Sequence, residues 1–247
     1  MKISNLQKKY ANGFQAVSGL NVKLYKGQIF CLLGHNGAGK TTTISMLTGL
    51  FQQSEGSAEL FGVDLFNDMQ TVRQMMGVCP QHDILFPLMT VQEHLYFFYE
   101  LKGGLQKWRH KRDSINKLMV ESGIYDKRNA LAGTLSGGNK RKLSVCIALV
   151  ADSRFVVLDE PTSGMDLSAR RQLWNMLKAQ KEERIVILTT HYMDEADILG
   201  DRIGIMTQGR LKALGSSIFL KTKFGVGYNL TLAKTDSKVN KQILPYL

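Results

Sequence analysis

Three runs along the chain are apolar at every position: Ile29-Phe30-Cys31-Leu32-Leu33, Phe155-Val156-Val157-Leu158 and Ile185-Val186-Ile187-Leu188. A strand with one wet face alternates, so an unbroken run predicts a strand buried on both faces, as in a parallel sheet covered by helices. Met76 to Cys79 predicts a shorter strand. Gln15 to Val17 and Leu20 to Leu24 alternate instead, so residues 1–28 read as strand segments of an antiparallel layer, with the mixed core beginning at about 29–80. From about Asp83 to Leu135 the pattern turns helical. Thr90-Val91-Gln92-Glu93 is a capping-box start, and Leu95, Phe98 and Leu101 continue one apolar face before Gly103-Gly104 ends it. Leu143, Cys146, Ile147 and Val150 fall at i, i+3, i+4 and i+7, one stripe of a helix that Ser136 would cap. Strand and helix then alternate from about 151 to 206, with Ala169, Leu173, Met176 and Leu177 on one helix face, and Arg202 to Ala213 forms a hairpin around Gln208-Gly209. The expected class is α/β, a mixed and mainly parallel sheet with an N-terminal antiparallel β layer and a helical segment between its strands. Its expected division is 1–82 and 136–233 for the core, 83–135 for the helical insert, and 234–247, polar and lysine-rich, for a frayed tail or linker.

The chemistry sits where these runs end. Gly34-His35-Asn36-Gly37-Ala38-Gly39-Lys40-Thr41 follows the first run directly and has the spacing Gly-x4-Gly-Lys-Thr, a phosphate-cradling loop. Its glycines let backbone N–H groups turn inward, and those groups, with the N-terminus of the helix starting near Gly39, bind anionic oxygens. Lys40 would reach the β- and γ-phosphates and the Thr41 hydroxyl would help hold Mg²⁺. The second run ends in Asp159-Glu160: Asp159 is placed as a Mg²⁺ ligand, direct or through water, and Glu160, pointing the other way along the strand, as acceptor of a proton from an attacking water. The third run ends in Thr189-Thr190-His191, and His191 is read as the γ-phosphate sensor. Open α/β sheets place ligands at such carboxyl ends. Gln81 follows the short strand and a proline, and its amide could serve both Mg²⁺ and the water.

Leu135-Ser136-Gly137-Gly138 is a second phosphate-binding device. Ser136 reads as an N-cap, but Gly137 and Gly138 are poor helix formers and make sense in a first turn that another surface must approach closely. One nucleotide does not need both devices from one chain. The simplest resolution is two copies facing each other, each lending its second device to the other's nucleotide.

From end to end the chain resembles the nucleotide-binding domain of an ABC transporter. The resemblance implies a P-loop NTPase fold, with the phosphate loop at Gly34 to Thr42 (Thr42 included among the phosphate-binding residues), the Gln-loop at Gln81, the signature at Leu135 to Asn139, the second carboxylate motif at Phe155 to Glu160, the D-loop at Ser163-Gly164-Met165-Asp166 and the switch histidine at His191. Tyr10 matches the aromatic that stacks on adenine, with Phe14 a rival. Gly77 to Asp83, Arg141 to Val145, His191 to Asp197, Gly215 to Lys221 and Phe224 to Leu230 are similar to subfamily A, large eukaryotic transporters mostly of lipids and sterols, and most resemble the first of their two nucleotide domains. Asn139, Met165 and Leu167 depart from the commoner residues of the family without removing a charged or hydroxyl group. The resemblance implies ATP and Mg²⁺ as ligands, ATP hydrolysis as activity, a second nucleotide-binding domain as head-to-tail partner, and a transmembrane domain whose coupling helix the helical subdomain receives. It also implies a place on the cytoplasmic face of a membrane. Soluble ABC ATPases of DNA or ribosomes, and a regulatory module that barely hydrolyses, remain as alternatives.

Composition changes this picture little. The 247 residues carry a net charge of +11, but the basic residues are scattered apart from Lys107, Arg109, His110, Lys111 and Arg112, which read as a solvated face or as a surface for anionic headgroups or an acidic partner. No interleaved aromatic stripe suggests base stacking, so nucleic acid is not expected as a partner. No apolar run approaches the ~18–20 residues that cross a bilayer, so membrane contact is expected only through the transmembrane partner. Met1-Lys2-Ile3 leads into a polar stretch without the apolar core of a signal peptide. Cys31, Cys79 and Cys146 sit in apolar company without metal or redox spacing, as buried thiols of a reducing cytosol do.

Overall fold

A computed structural model describes residues 1–103 and 108–225. The 234–247 tail, the end of the core at 226–233, Gly104 and Lys107 lie outside the described residues, as does the side chain of Arg109.

Two sheets form the frame. Strands β1 (Lys2–Lys9), β2 (Gln15–Lys23), β4 (Glu55–Leu60) and β5 (Val63–Asp64) make an antiparallel sheet in the order β2-β1-β4-β5. Strands β3 (Gln28–Leu33), β6 (Met76–Cys79), β7 (Phe155–Asp159), β8 (Ile185–Thr190), β9 (Arg202–Thr207) and β10 (Arg210–Gly215) make the second, in the order β10-β9-β3-β8-β7-β6. It is parallel except for the β9–β10 hairpin. The antiparallel layer is larger than residues 1–28, because β4 and β5 leave the expected core and extend it. Short, half-exposed strands with Gly56 and Gly62 carry no continuous apolar run, so the run-based reading passed over them.

The unbroken runs have a direct structural reason. Ile29, Cys31, Val156, Leu158, Val186 and Leu188 pack into one apolar cluster, while Phe30, Leu32, Phe155, Val157, Ile185 and Ile187 pack into another on the opposite face. The second cluster also takes Ile44, Met46 and Leu47 of helix α1 (Lys40–Leu47) and the inner face of the antiparallel sheet. Helix α2 (Met69–Met75) leads into β6. The first cluster gathers helices α3 (Val91–Leu101), α4 (Trp108–Ser122), α5 (Gly137–Leu149), α6 (Leu167–Ala179) and α7 (Met193–Leu199), and Leu220 of helix α8 (Ser217–Phe224). Val91, Leu95, Tyr99, Ile115 and Met119 belong to it, so the helical segment shares its core with the sheet.

Three local expectations are corrected. Helix α5 is not striped: every residue from Arg141 to Leu149 is buried, because α3, α4, β6 and β7 surround it, and Val150 is its C-cap. In α3 the capping box forms as expected, but Leu101 is 68% exposed and the buried face is Val91, His94, Leu95 and Tyr99. The basic cluster is not one solvated face: Lys111 turns inward, pairs with Glu100 and lies over the rings of Tyr96 and Tyr99 at 4.9 and 5.4 Å, while His110 and Arg112 are exposed. The three cysteines are free and buried, and burial pushes the Cys79 and Cys146 thiols up to about 12. Among the described residues no helix is long and apolar enough to cross a membrane.

The seam between β6 and α5 is tight. A Cβ on Gly77 would lie 1.7 Å from the Ala148 carbonyl oxygen. Gly77→Ala should therefore destabilise the fold by about 3 kcal/mol, the upper range for overpacking, measured by urea unfolding. An unchanged midpoint would mean that β6 and α5 can separate freely.

Candidate nucleotide site

The cleft is assembled at the carboxyl ends of β3, β6, β7 and β8. After β3, Gly37 and Gly39 take positive φ of 80° and 103°. Gly34 and Gly39 also lie where a Cβ would meet backbone, at 2.5 Å from Met206 O and 2.5 Å from Ala16 O. The loop is thus held against β2 and the β9–β10 hairpin, and Gly209 N donates to Ala38 O at 2.9 Å. Helix α1 starts at Lys40 with Gly39 as N-cap, no side-chain cap and no acidic residue in its first turn. Its leading N–H groups are left for an anion. Lys40 is 5% exposed and its Nζ donates to Gly34 O at 2.7 Å and His35 O at 3.2 Å. Burial lowers its pKa, and Glu160 and Asp159 oppose that shift.

Asp159 ends β7, is 3% exposed and accepts a hydrogen bond from the Thr189 hydroxyl. Glu160 does not continue the strand. It takes a left-handed φ of 48°, with its N–H shared between Thr189 O at 3.2 Å and Thr189 Oγ1 at 3.1 Å. The turn, and not strand alternation, aims its carboxylate at the cleft; such backbone in a non-glycine residue is uncommon and costs energy that functional sites often carry. The Glu160 carboxylate accepts from Gln81 Nε2 at 3.5 Å and faces His191 Nδ1 at 3.1 Å, a contact that suits an N–H at that ring nitrogen. Tyr192, next to His191, lies under the Arg170 guanidinium at 4.3 Å, and Arg170 Nε donates to Met165 O at 3.2 Å.

Asn36, Gly37, Gly39, Lys40, Thr41, Thr42, Gln81, Glu160 and His191 line one cleft with Phe14 and Ala16. Gly34, His35, Ala38 and Asp159 form or support its walls without lining it, and Tyr10 stands behind Phe14. The two rings stack at 6.4 Å, Phe51 meets Tyr10 edge-on at 6.4 Å, and Phe14 is 59% exposed. Ser136, Gly137, Gly138 and Asp166 are elsewhere. Ser136 Oγ accepts from Asn139 N at 3.4 Å as the N-cap of α5. Asp166 caps α6, accepting from Ala169 N at 2.9 Å, and that bond holds its carboxyl below the usual range. A Cβ on Gly137 or Gly138 would meet no atom within 4 Å, and neither has a positive φ.

Two residues escaped sequence reasoning. Thr189 is a polar residue in an apolar strand, and it holds both Asp159 and Glu160. Arg141 is a cation at the start of the buried stretch of α5, and its guanidinium contacts the carbonyls of both Pro80-Gln81 and Asp159-Glu160-Pro161. A charge at a buried helical position was the available signal.

The donor set fits a nucleotide triphosphate with Mg²⁺. The uncapped helix start and Lys40 suit phosphate, and a hydroxyl (Thr41), a carboxylate (Asp159) and an amide (Gln81) suit a hard cation that keeps water and phosphate oxygens. Among the described residues no group of three or more His, Cys, Asp or Glu could hold a metal by itself.

The family described as ABC transporter matches residues 17–163. The chain is 52% identical to a human "Phospholipid-transporting ATPase ABCA3", with 95% of this chain and 14% of that protein covered. It is 47% identical to the mouse "Retinal-specific phospholipid-transporting ATPase ABCA4", with 97% and 10% covered. The chain thus spans about a seventh or less of the length of these relatives. Among solved structures, an ATP binding subunit of an ABC transporter aligns with a TM-score of 0.81 at 25% identity, covering 91% of this chain and 92% of the other. A dimeric bacterial ABC transporter cassette aligns at 0.78 and 23%, covering 87% and 97%. The chain belongs to the ABC transporter family and is similar to the cassettes of subfamily A.

Proposed function

We propose that the chain binds MgATP in this cleft, closes head to tail on a second nucleotide-binding domain, and uses hydrolysis to drive a linked transmembrane domain. The observation that carries this reading is the bare first turn of α5. Among the described residues neither a close neighbour nor a positive φ requires glycine at 137 and 138, yet both positions carry it, at a cost of about 1 kcal/mol each in helix propensity. That open space supports a requirement set by a surface from outside the chain, and an open, Ser-capped helix N-terminus suits another chain's γ-phosphate.

In this reading Lys40, Asn36, Gly37, Gly39 and Thr42 hold the phosphates, and Thr41, Asp159 and Gln81 hold Mg²⁺. The bound ion would neutralise charge on the β- and γ-phosphoryl oxygens. Glu160 accepts a proton from the attacking water, and the imidazolium form of His191 would donate Nδ1–H to Glu160 and Nε2–H to a γ-phosphate oxygen. Asp166 lies on the face offered to the partner domain. The exposed Phe14 is the better placed stacking surface for the base, with Tyr10 supporting it. Phe14→Ala should weaken ATP binding by about 1–3 kcal/mol and Tyr10→Ala by less, read by calorimetry; the reverse order would return Tyr10 to the base.

An apolar groove lined by Leu50, Val78, Pro80, Ile84, Phe98 and Ile147 lies between sheet and helical segment, next to Gln81. It suits a coupling helix of the transmembrane domain, and in this reading the chain sits on the cytoplasmic face of a membrane. The names of the relatives favour a phospholipid as the transported molecule. Two-state closure about Gln81 would then carry γ-phosphate occupancy to the membrane part. The test is ATPase turnover per chain across a dilution series. Turnover should fall on dilution, and a flat dependence would contradict the shared site.

A further inference from the structure

Arg141 lies about one turn inside α5, is 3% exposed, and sends its guanidinium in two directions. Nη2 donates to Asp159 O and to Glu160 O at 2.8 Å, and Nε donates to Pro161 O at 3.1 Å. Nη1 donates to Pro80 O at 2.6 Å, Gln81 O at 3.3 Å and Asp83 Oδ1 at 3.2 Å. Asp83 is held in turn by Ser144 Oγ at 2.8 Å, one turn further along the same helix. The loop that carries Glu160 and the loop that carries Gln81 are thus fastened to α5 by one side chain. A planar fork with five N–H donors in fixed directions can do this; a lysine ammonium cannot span both loops.

The same helix opens with the bare turn Ser136-Gly137-Gly138. We infer that Arg141 is a positioning residue, which makes the seating of a partner's nucleotide on that turn set the placement of this chain's own Glu160 and Gln81. The two composite sites of the dimer are then coupled through α5. This rests on the shared-site reading above.

The test uses hydrogen exchange and turnover in the 247-residue chain. Arg141→Lys should lower kcat by about 10²-fold, as remote misplacement of a catalytic group does, while KM and MgATP affinity stay near wild type because Lys40 is untouched. Without nucleotide, exchange should quicken in segments 80–83 and 159–163 but not in 34–42. In the Glu160→Gln background with ATP, segment 136–140 should be protected with or without Arg141, but 80–83 and 159–163 only with it. A kcat within threefold of wild type, equal loop protection, or loosening of all three segments together with a fallen melting midpoint would overturn the inference. If ATP fails to protect 136–140 in any variant, the shared-site reading is what fails, and the nucleotide-free comparison still decides the role of Arg141.

Discussion

Glu160→Gln should reduce ATP turnover by about 10²–10⁴ while nucleotide stays bound and the closed dimer accumulates. The carboxylate is 11% exposed, aimed into the cleft by a left-handed turn and held by Gln81 and His191. Gln keeps the shape and can still meet Gln81 and His191, but it cannot accept the proton of an attacking water. In the proposed site binding rests on Lys40 and the loop N–H groups, so it should be left intact. A variant that binds but does not turn over should populate the ATP-bound dimer, visible as a doubled mass by light scattering. Wild-type turnover in this variant would remove Glu160 from the chemistry and leave its strained backbone without an account.

Lys40→Ala should act on binding. Its ammonium is almost fully buried and rests on the Gly34 and His35 carbonyls, poised between loop and carboxylates. Removing it strands those carbonyls and leaves phosphate charge uncompensated, a loss of about 2–5 kcal/mol for truncating one partner of a buried charge pair. Calorimetry should therefore read a Kd for MgATP raised roughly 30- to 5,000-fold. The pH dependence has a definite sign. Burial lowers the Lys40 pKa in the folded chain, and only the charged form compensates phosphate. Affinity of the wild-type chain should therefore start to fall at a lower pH than an ordinary lysine would allow, and Lys40→Ala should lose that alkaline limb. Unaltered affinity in Lys40→Ala would contradict the cradle.

Most of the sheet was legible because physics writes it as runs: a strand apolar at every residue has two dry faces, and 29–33, 155–158 and 185–188 have them. The cleft was legible because a phosphate loop needs specific glycines and its partners follow strand ends. What escaped has no local signature. β4 and β5 are short and polar, and the strand β1 on which β4 pairs lies some fifty residues away in sequence. Helix α5 was read as a stripe because periodicity reports one face, whereas burial on all sides is decided by α3, α4 and the sheet together. The aim of Glu160 depends on a φ of 48° that no spacing announces. Arg141 looked like one more cation until the carbonyls around it were in place.

The central claim is that each active centre is divided between two chains, and mixing two crippled variants tests it most directly. Lys40→Ala lacks a working phosphate loop but keeps the α5 turn. Gly138→Asp places a like charge in the open space above that turn, where a Cβ meets no atom of the described residues within 4 Å, but keeps the phosphate loop. Each should be inactive alone. Mixed in equal amounts, they should regain measurable ATPase activity, because the loop of one meets the intact turn of the other. Wild-type turnover by Gly138→Asp alone, with a mixture no more active than its Gly138→Asp content accounts for, would place the whole centre within a single chain and contradict the account.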